Sequence, residues 1–98
     1  MDVSSMGQAD AMVFRFSEPT NVAFYMYNTI LPLTVVFVSV GGRVSDTIDM
    51  EPCPDKDAAK CPLYQASAPY QTAIEVPKGK AASLGFSVGS TVDFRSNC

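Results

Sequence analysis

The amino-acid sequence predicts a mainly β (α+β) fold: a small rolled sheet or barrel of about five to six strands, with one short helix near residues 77–84. Short apolar runs with strand-like alternation recur along the chain, and turn-forming Gly, Pro, Asn and Asp separate them. One segment, after residue 76, carries helix start and stop signals instead. With 98 residues, 47% of them hydrophobic and 17% charged, the chain fits one globular domain over residues 1–98.

The predicted strands follow one another from residue 12 to near the end of the chain. The first alternates apolar side chains with polar ones and ends at a turn rich in polar residues and Pro. The third contains an unbroken apolar run, typical of a strand that is covered on both faces, and Gly41 and Gly42 predict a hairpin after it. The six predicted strands cover residues 12–16, 22–27, 33–40, 43–50, 69–77 and 91–94, with a turn at 17–21 and a long loop at 54–68.

The short helix is predicted from its two ends. Pro77 suits the first helical turn, and Gly85 suits the position just past the last turn. A helix this short depends on the packing of Ala81, Ala82 and Leu84, since propensity alone does not hold it. The GFSVGST segment that follows predicts a backbone turn and not a phosphate-binding loop, because no Lys follows its second Gly.

The apolar stretch at residues 23–40 raises the question of a membrane span. A membrane helix needs about 20 mainly apolar residues, and this stretch is interrupted by Pro32 and by the polar pair Asn28 and Thr29. Its Val, Phe, Tyr and Thr content favours strands. We therefore predict no transmembrane segment. The first residues also lack the basic and apolar regions of a signal peptide.

The charge and composition exclude several classes of function. A net charge of −3, with 7 Lys and Arg that form no basic stripe, argues against a nucleic-acid partner. The chain has no His, which removes the commonest general base and the commonest metal ligand. Three Cys alone fall short of a four-ligand zinc site unless carboxylates join them. We therefore predict no metal and no cofactor.

Several stretches, in order, resemble the domain of unknown function 192 family of bacteria and archaea. They are AFYMYNTILPLTVVFV, GGRV, DMEPC, CPLY, PYQTAIEVPKG and LGFSVGSTV, between about residues 11 and 92. The resemblance implies a compact β-rich roll with one or two short helices, and it implies no established activity. Tyr25 and Tyr27 stand where the family usually has Trp and Lys, and Thr34 and Ser90 stand where it usually has Asp. These differences remove one cation and two carboxylates from the family's pattern.

The resemblance also implies that a leading strand and helix, usual in the family, are missing before residue 11. A missing strand leaves an unpaired sheet edge, which a second copy of the chain can cover. We therefore predict a homodimer.

Cys53 and Cys61, eight positions apart, have two interpretations. A disulfide that closes the long loop is favoured over a thiol-redox pair, because redox pairs usually have Cys-x-x-Cys spacing beside a helix or a cation. Closing a ring of this size stabilises the fold by about 2–3 kcal/mol on the chain-entropy model. Cys98 is then free or bridges two chains. An oxidised pair indicates an extracytoplasmic location, and a reduced pair indicates the cytoplasm.

The most distinctive polar feature lies in residues 25–32. Asn28 and Thr29 either bond their own backbone or open onto a pocket. Aromatic walls with a few convergent polar groups are typical of small-molecule sites, and a sugar or another polar ring ligand suits Tyr and Asn. The predicted ligand residues are Tyr25, Met26, Asn28, Thr29, Pro32 and Tyr64.

Acidic residues recur along the fourth predicted strand, at Asp46, Asp49 and Glu51. Asp49 and Glu51 share a strand face about 6–7 Å apart, as acid–base catalysis of glycoside hydrolysis requires, although a solvated face is the favoured interpretation. The sequence thus favours a non-catalytic binding or accessory domain of otherwise unknown function. The alternatives are a hydrolase that uses Asp49 and Glu51, a thiol-redox enzyme that uses Cys53 and Cys61, and a truncated copy that keeps only fold and oligomerisation.

Overall fold

A computed structural model describes residues 11–27, 29 and 31–92 of the chain. One antiparallel sheet dominates this part, which confirms the mainly β prediction. The strands lie in the order β1-β4-β2-β3, so β1 and β3 form the edges and β4 lies between β1 and β2. Their bounds are β1 Met12–Thr20, β2 Leu33–Val38, β3 Val44–Met50 and β4 Tyr70–Pro77.

Both faces of the sheet are covered, which is why every residue of β2 is buried. We call the two faces aromatic and aliphatic after the side chains that pack there. The aromatic face consists of Met26, Leu33, Val35, Phe37, Met50, Tyr70 and Ala73, with the rings of Phe14, Phe16 and Phe24 packed against them. The aliphatic face consists of Val36, Val38, Val44, Ile74, Val76 and Ala81, with Ala11, Phe86 and Val92 packed against them.

The predicted strand at residues 22–27 is wrong. This segment crosses the aromatic face and does not join the sheet; it makes only isolated bridges, from Phe24 to Tyr64 and from Tyr27 to Cys53. The Phe24 ring lies 5.7 Å from the Phe37 ring, and Met26 is fully buried. Alternate residues of the segment thus enter the core from a covering layer, which produces the same pattern as a strand.

The predicted turn at residues 17–21 is also wrong, because β1 continues through it to Thr20. The pairing of β1 with β4 is irregular there: Arg15 lies opposite Thr72, and Thr20 lies opposite Tyr70. Extra residues on one strand of an antiparallel pair form a bulge. Pro19 fits within the strand because β1 is at the edge of the sheet.

Neither barrel closure nor a count of five to six strands is confirmed, since residues 11–27, 29 and 31–92 form an open sheet of four strands. Thr91, where the sixth strand is predicted to begin, makes only a bridge to Arg43, and positions 93–94 lie outside the described residues. No helix in the described part of the chain is long and apolar enough to cross a membrane.

The helix predicted for residues 77–84 is reduced to a 3-10 turn at Ala82–Leu84. Gly79 has a φ of +83°, a left-handed conformation that prevents a helix from continuing from Pro77. Gly85, with a φ of +87°, ends the turn as predicted. A second 3-10 turn, at Ala58–Lys60, lies in the long loop between β3 and β4.

The predicted β2–β3 hairpin is confirmed. The Gly42 N–H donates to the Ser39 carbonyl at 2.9 Å. Glycine suits this position because its φ is +85° and because a Cβ there would lie 3.2 Å from the Val92 carbonyl oxygen. The GFSVGST segment forms a backbone turn, as predicted, and it packs beside β3. Its Gly89 N–H donates to the Val44 carbonyl at 2.9 Å.

Candidate functional site

A groove of about 400 Å³ lies where the chain turns from the covering layer into β2. We call it the corner groove. Its size is in the range of small-molecule sites. One wall comes from the residues before β2, and the other comes from the loop that follows β3. The lining residues are Tyr27, Thr29, Pro52, Cys53, Pro54, Asp55 and Lys56.

The first wall is fixed to the core through Met26. The Met26 side chain is fully buried, and its carbonyl accepts the N–H groups of both Thr29 and Cys53 at 3.2 Å. Thr29 is 2% exposed, and its hydroxyl donates to the Tyr27 carbonyl at 3.3 Å. One interpretation of Asn28 and Thr29 in the sequence was hydrogen bonding to their own backbone. This bonding is present at Thr29, at the edge of the groove.

Two tyrosine rings stack at the mouth of the corner groove. The rings of Tyr25 and Tyr27 are nearly parallel, at 8°, with centroids 6.4 Å apart. The Tyr27 hydroxyl donates to the Lys56 carbonyl at 3.5 Å, so this side chain reaches from the first wall to the second. The stacked Tyr25 ring is 36% exposed.

The second wall is a loop closed by a disulfide between Cys53 and Cys61, whose Cα atoms lie 5.8 Å apart. The predicted pairing is thus confirmed. Inside the ring, the Asp57 side chain accepts the Ala59 N–H at 3.0 Å and caps the 3-10 turn. Asp55 accepts the Asp57 N–H, also at 3.0 Å. These bonds organise the loop internally.

The other predicted ligand residues lie outside the corner groove or outside the described residues. The Tyr64 hydroxyl accepts the Glu51 N–H at 3.3 Å, and the Tyr64 backbone pairs with Phe24 at 2.8 Å in both directions. Pro32 lines a separate depression of about 240 Å³ beside Lys78. Asn28 lies outside the described residues. Thr29 therefore lines the groove, Tyr25 adjoins it, and Met26 supports it from below.

The carboxylates of the predicted acid–base pair have different partners. Asp49 accepts the Thr34 hydroxyl proton at 2.6 Å, and Glu51 forms an ion pair with Lys78. The hydrogen bond and the charge of Glu51 raise the pKa of Lys78. Asp46 accepts the Ser67 N–H at 3.0 Å. These contacts tie loops to the sheet.

Glu75 is the titratable residue that the sequence analysis missed. It lies in the middle of β4, opposite Met12 and Val35, and its side chain is fully buried. Neither carboxylate oxygen has a hydrogen-bond partner within residues 11–27, 29 and 31–92, and burial raises the pKa of this group to about 7. The available signal was an acidic residue in the apolar run AIEV.

A second, larger groove of about 470 Å³ lies at the opposite end of β2, between the bulge of β1 and the β2–β3 hairpin. No residue of this groove was predicted from the sequence as a ligand or catalytic residue. Its lining residues are Arg15, Phe16, Ser17, Val38, Ser39, Val40, Gly42, Gln71 and Thr72.

Two solved structures are similar to this chain over nearly its whole length. A protein of unknown function from Novosphingobium aromaticivorans has 27% identity and a TM-score of 0.74, covering 95% of this chain and 64% of its own. A putative transcription regulator from Sinorhizobium meliloti has 23% identity and a TM-score of 0.72, covering 94% of this chain and 69% of its own. The chain thus spans less than two thirds of the first protein. No curated protein matches the chain.

The family resemblance inferred from the order of the motifs is confirmed by a match to a family sequence model. The match is to DUF192, described as Uncharacterized ACR, and it extends over residues 1–94. Both the corner that carries YMYNT and the loop that carries the two bridged cysteines lie inside the matched range. The chain therefore belongs to the DUF192 family.

Proposed function

We propose that the chain is a small non-catalytic binding module that holds a polar ring compound, such as a saccharide, in the corner groove. The observation that carries the proposal is the position of Tyr27, which spans the groove from the buried corner to the carbonyl of Lys56. An aromatic ring offers an apolar face to the C–H groups of a sugar, and nearby polar groups fix its hydroxyls.

The walls of the groove support this proposal because they are ordered before a ligand arrives. Met26 anchors one wall through two backbone hydrogen bonds, and the disulfide closes the other. A preorganised site loses less conformational entropy on binding. Asp55 and Lys56 place opposite charges beside the aromatic surface, which suits a neutral polyhydroxylated compound.

The remaining predicted ligand residues keep their roles as part of the proposal. Tyr25 supports the Tyr27 ring through stacking, Thr29 contributes a polar edge, and Asn28, the preceding residue in the sequence, is proposed to contact ligand. Tyr64 and Pro32 position the neighbouring segments.

The transcription regulator description belongs to the protein from Sinorhizobium meliloti. For this chain, a net charge of −3 does not favour nucleic acid.

An enzyme is the weaker alternative. Asp49 and Glu51 bond different partners, Thr34 and Lys78, and neither carboxylate lines any of the three grooves described above. General acid–base catalysis requires both groups within reach of one substrate.

Titration of the isotope-labelled protein with mono- and disaccharides, followed by NMR, tests the proposal. We expect saturable shifts at the amides of Tyr27, Thr29, Cys53 and Lys56. Tyr27→Ala should weaken binding at least about tenfold by removing the stacking face, whereas Leu63→Ala, at an exposed apolar side chain outside the groove, should not. If no saccharide gives saturable shifts at millimolar concentration, the proposal fails.

Homodimerisation through β1 is the second part of the proposal. β1 is an edge strand, and edge strands present backbone groups that another chain can pair with. Val13 on this strand is 50% exposed, so pairing there would also cover an apolar side chain. Light scattering over a range of concentrations should give the mass of a dimer, and a monomer at every concentration would exclude it.

A further inference from the structure

The disulfide is part of the corner groove and not a remote brace. Cys53 lines the groove directly, and its N–H holds the Met26 carbonyl of the opposite wall at 3.2 Å. Pro52 before it and Pro54, Asp55 and Lys56 after it supply the rest of the second wall. Any change at this disulfide therefore acts on the proposed ligand site.

Apart from the disulfide, little holds this wall in place. None of residues 54–60 is buried, so the loop contributes almost no side-chain packing. Its hydrogen bonds are mostly internal, such as Lys60 N–H to the Asp57 carbonyl at 2.9 Å. Among the described residues, its bond to the rest of the protein is that from the Tyr27 hydroxyl to the Lys56 carbonyl, at 3.5 Å.

The chain on either side of the loop is held independently of the disulfide. Met50, before it, ends a strand paired with β2 through Leu33. Tyr64, after it, exchanges two backbone hydrogen bonds of 2.8 Å with Phe24. Opening the disulfide would therefore release residues 54–60 and leave the sheet and its covering layer in place.

We propose that the Cys53–Cys61 disulfide is a redox gate on the corner groove. The oxidised protein presents an ordered ligand site, and reduction of the disulfide by a dithiol loosens the wall formed by residues 54–60. The ligand half of this inference rests on the proposed function. The gate itself, an ordered wall that loosens on reduction, rests on the geometry of the loop alone.

The chemistry is thiol–disulfide exchange with a dithiol reductant. Cys61 is 5% exposed and Cys53 is more accessible, so the attacking thiolate meets the Cys53 sulfur. The Cys53–Cys61 bond breaks, a mixed disulfide forms at Cys53, and the Cys61 sulfur leaves as a thiolate that takes up a proton. The second thiol of the reductant then displaces Cys53. Two electrons pass from the reductant, which becomes a disulfide, and Cys53 and Cys61 become thiols.

NMR relaxation of the oxidised and reduced protein tests the gate without any ligand. The Cys98→Ser variant is used as background so that a third thiol cannot exchange. We expect the amides of residues 54–60 to become flexible on reduction, while those of Tyr70, Ala73 and Val76 in β4 keep their shifts. The matched control is Asp57→Ala, which removes the cap of the 3-10 turn and keeps the disulfide; it should leave the loop closed.

A double Cys53→Ala, Cys61→Ala variant repeats the measurement without reductant. The gate is overturned if residues 54–60 stay ordered in both the reduced protein and the double variant. It is also overturned if β4 unfolds when these residues become flexible. In saccharide titrations, the reduced form should bind about tenfold more weakly, because a loose wall must be ordered on binding. Equal binding by both forms overturns the gate and spares the proposed function. Loosening without saccharide binding in either form overturns the function and leaves the gate standing.

Discussion

The two faces of the sheet are covered in different ways. On the aliphatic face, Val36, Ile74 and Val76 pack against the segment that follows β4, and the buried core there consists of small hydrocarbon side chains. On the aromatic face, large rings and a buried carboxylate, Glu75, lie under irregular chain. That chain is held by isolated bridges, by the disulfide, and by the Tyr70 hydroxyl, which donates to the Val22 carbonyl at 2.5 Å.

This difference supports the position proposed for the ligand site. Irregular segments fixed on a rigid scaffold commonly bear binding residues. The corner groove lies in the layer over the aromatic face, and its walls are fixed by few, specific bonds. The aliphatic face combines close packing with backbone bonds from its covering segment to the start of β3, such as that from the Gly89 N–H to the Val44 carbonyl, and its packed side chains are hydrocarbon.

The largest expected effect comes from truncating the centre of the aromatic face. Phe37 contacts Phe24 and Tyr70, with ring centroids 5.7 Å and 4.6 Å away, so Phe37→Ala should lower the free energy of unfolding by about 3–5 kcal/mol. Val36→Ala, the adjacent residue on the other face, removes fewer atoms and should have a smaller effect. Urea unfolding measures both. Equal losses would show that the ring contacts of Phe37 contribute no more to the free energy of unfolding than the aliphatic packing of Val36.

Glu75 predicts a pH dependence that the aliphatic face does not share. Its pKa is raised from 4.5 to about 7 in the folded protein, so folding favours the protonated carboxyl. The stability due to this group is complete below pH 4.5 and is lost as pH rises through about 7, by about 3 kcal/mol in total. Unfolding measured at pH 5 and pH 8 should show this loss in the wild type and not in Glu75→Gln. Glu51→Gln, at an exposed ion pair, should keep it.

Removing the disulfide should lower the free energy of unfolding by less than Phe37→Ala does. The double Cys53→Ala, Cys61→Ala variant frees a ring of sequence separation 8, which lowers the free energy of unfolding by about 2–3 kcal/mol. Thermal unfolding beside Cys98→Ser, which should resemble the wild type, measures the difference. An unchanged midpoint would mean that the loop is equally restricted when the bond is absent.

The smallest effect is expected at a buried polar residue whose partners are present. The Thr34 hydroxyl donates to Asp49 at 2.6 Å and accepts the Gly79 N–H at 3.2 Å. Thr34→Val should therefore lower the free energy of unfolding by about 1–2 kcal/mol, without changing its dependence on pH near 7. Thr34→Ser, which keeps the hydroxyl, is the control. A Thr34→Val protein as stable as the wild type would show that the two hydrogen bonds of this hydroxyl make no net contribution to stability.

The strands that the sequence predicts best are those with two covered faces or a tight hairpin. The apolar run of β2 and the glycine at position 42 are local signals, and both describe the structure correctly. Residues 22–27 show why alternation is weaker: it reports that alternate side chains are buried, and Phe24 and Met26 are buried without a strand partner in the sheet.

Glu75 and the corner groove depend on the order of the strands, which is not local information. β4 is an inner strand, and layers of chain that pack on both faces of the sheet cover it, so the position that alternation assigns to solvent is buried. The groove likewise forms because residues near 27 and near 55 meet after folding. Sequence patterns predicted Thr29 as a ligand residue and Cys53 with Cys61 as a disulfide. No pattern indicated that Thr29 and Cys53 line the same groove.

The central claim, that the corner groove binds a polar ring ligand against Tyr27, is tested most directly by contacts between ligand and ring. Intermolecular NOEs between a bound saccharide and the oxidised protein should connect the sugar C–H protons to the Tyr27 ring and to the amides of Thr29 and Lys56. NOEs confined to other parts of the protein, or none from any saccharide that shifts the spectrum, would contradict the claim.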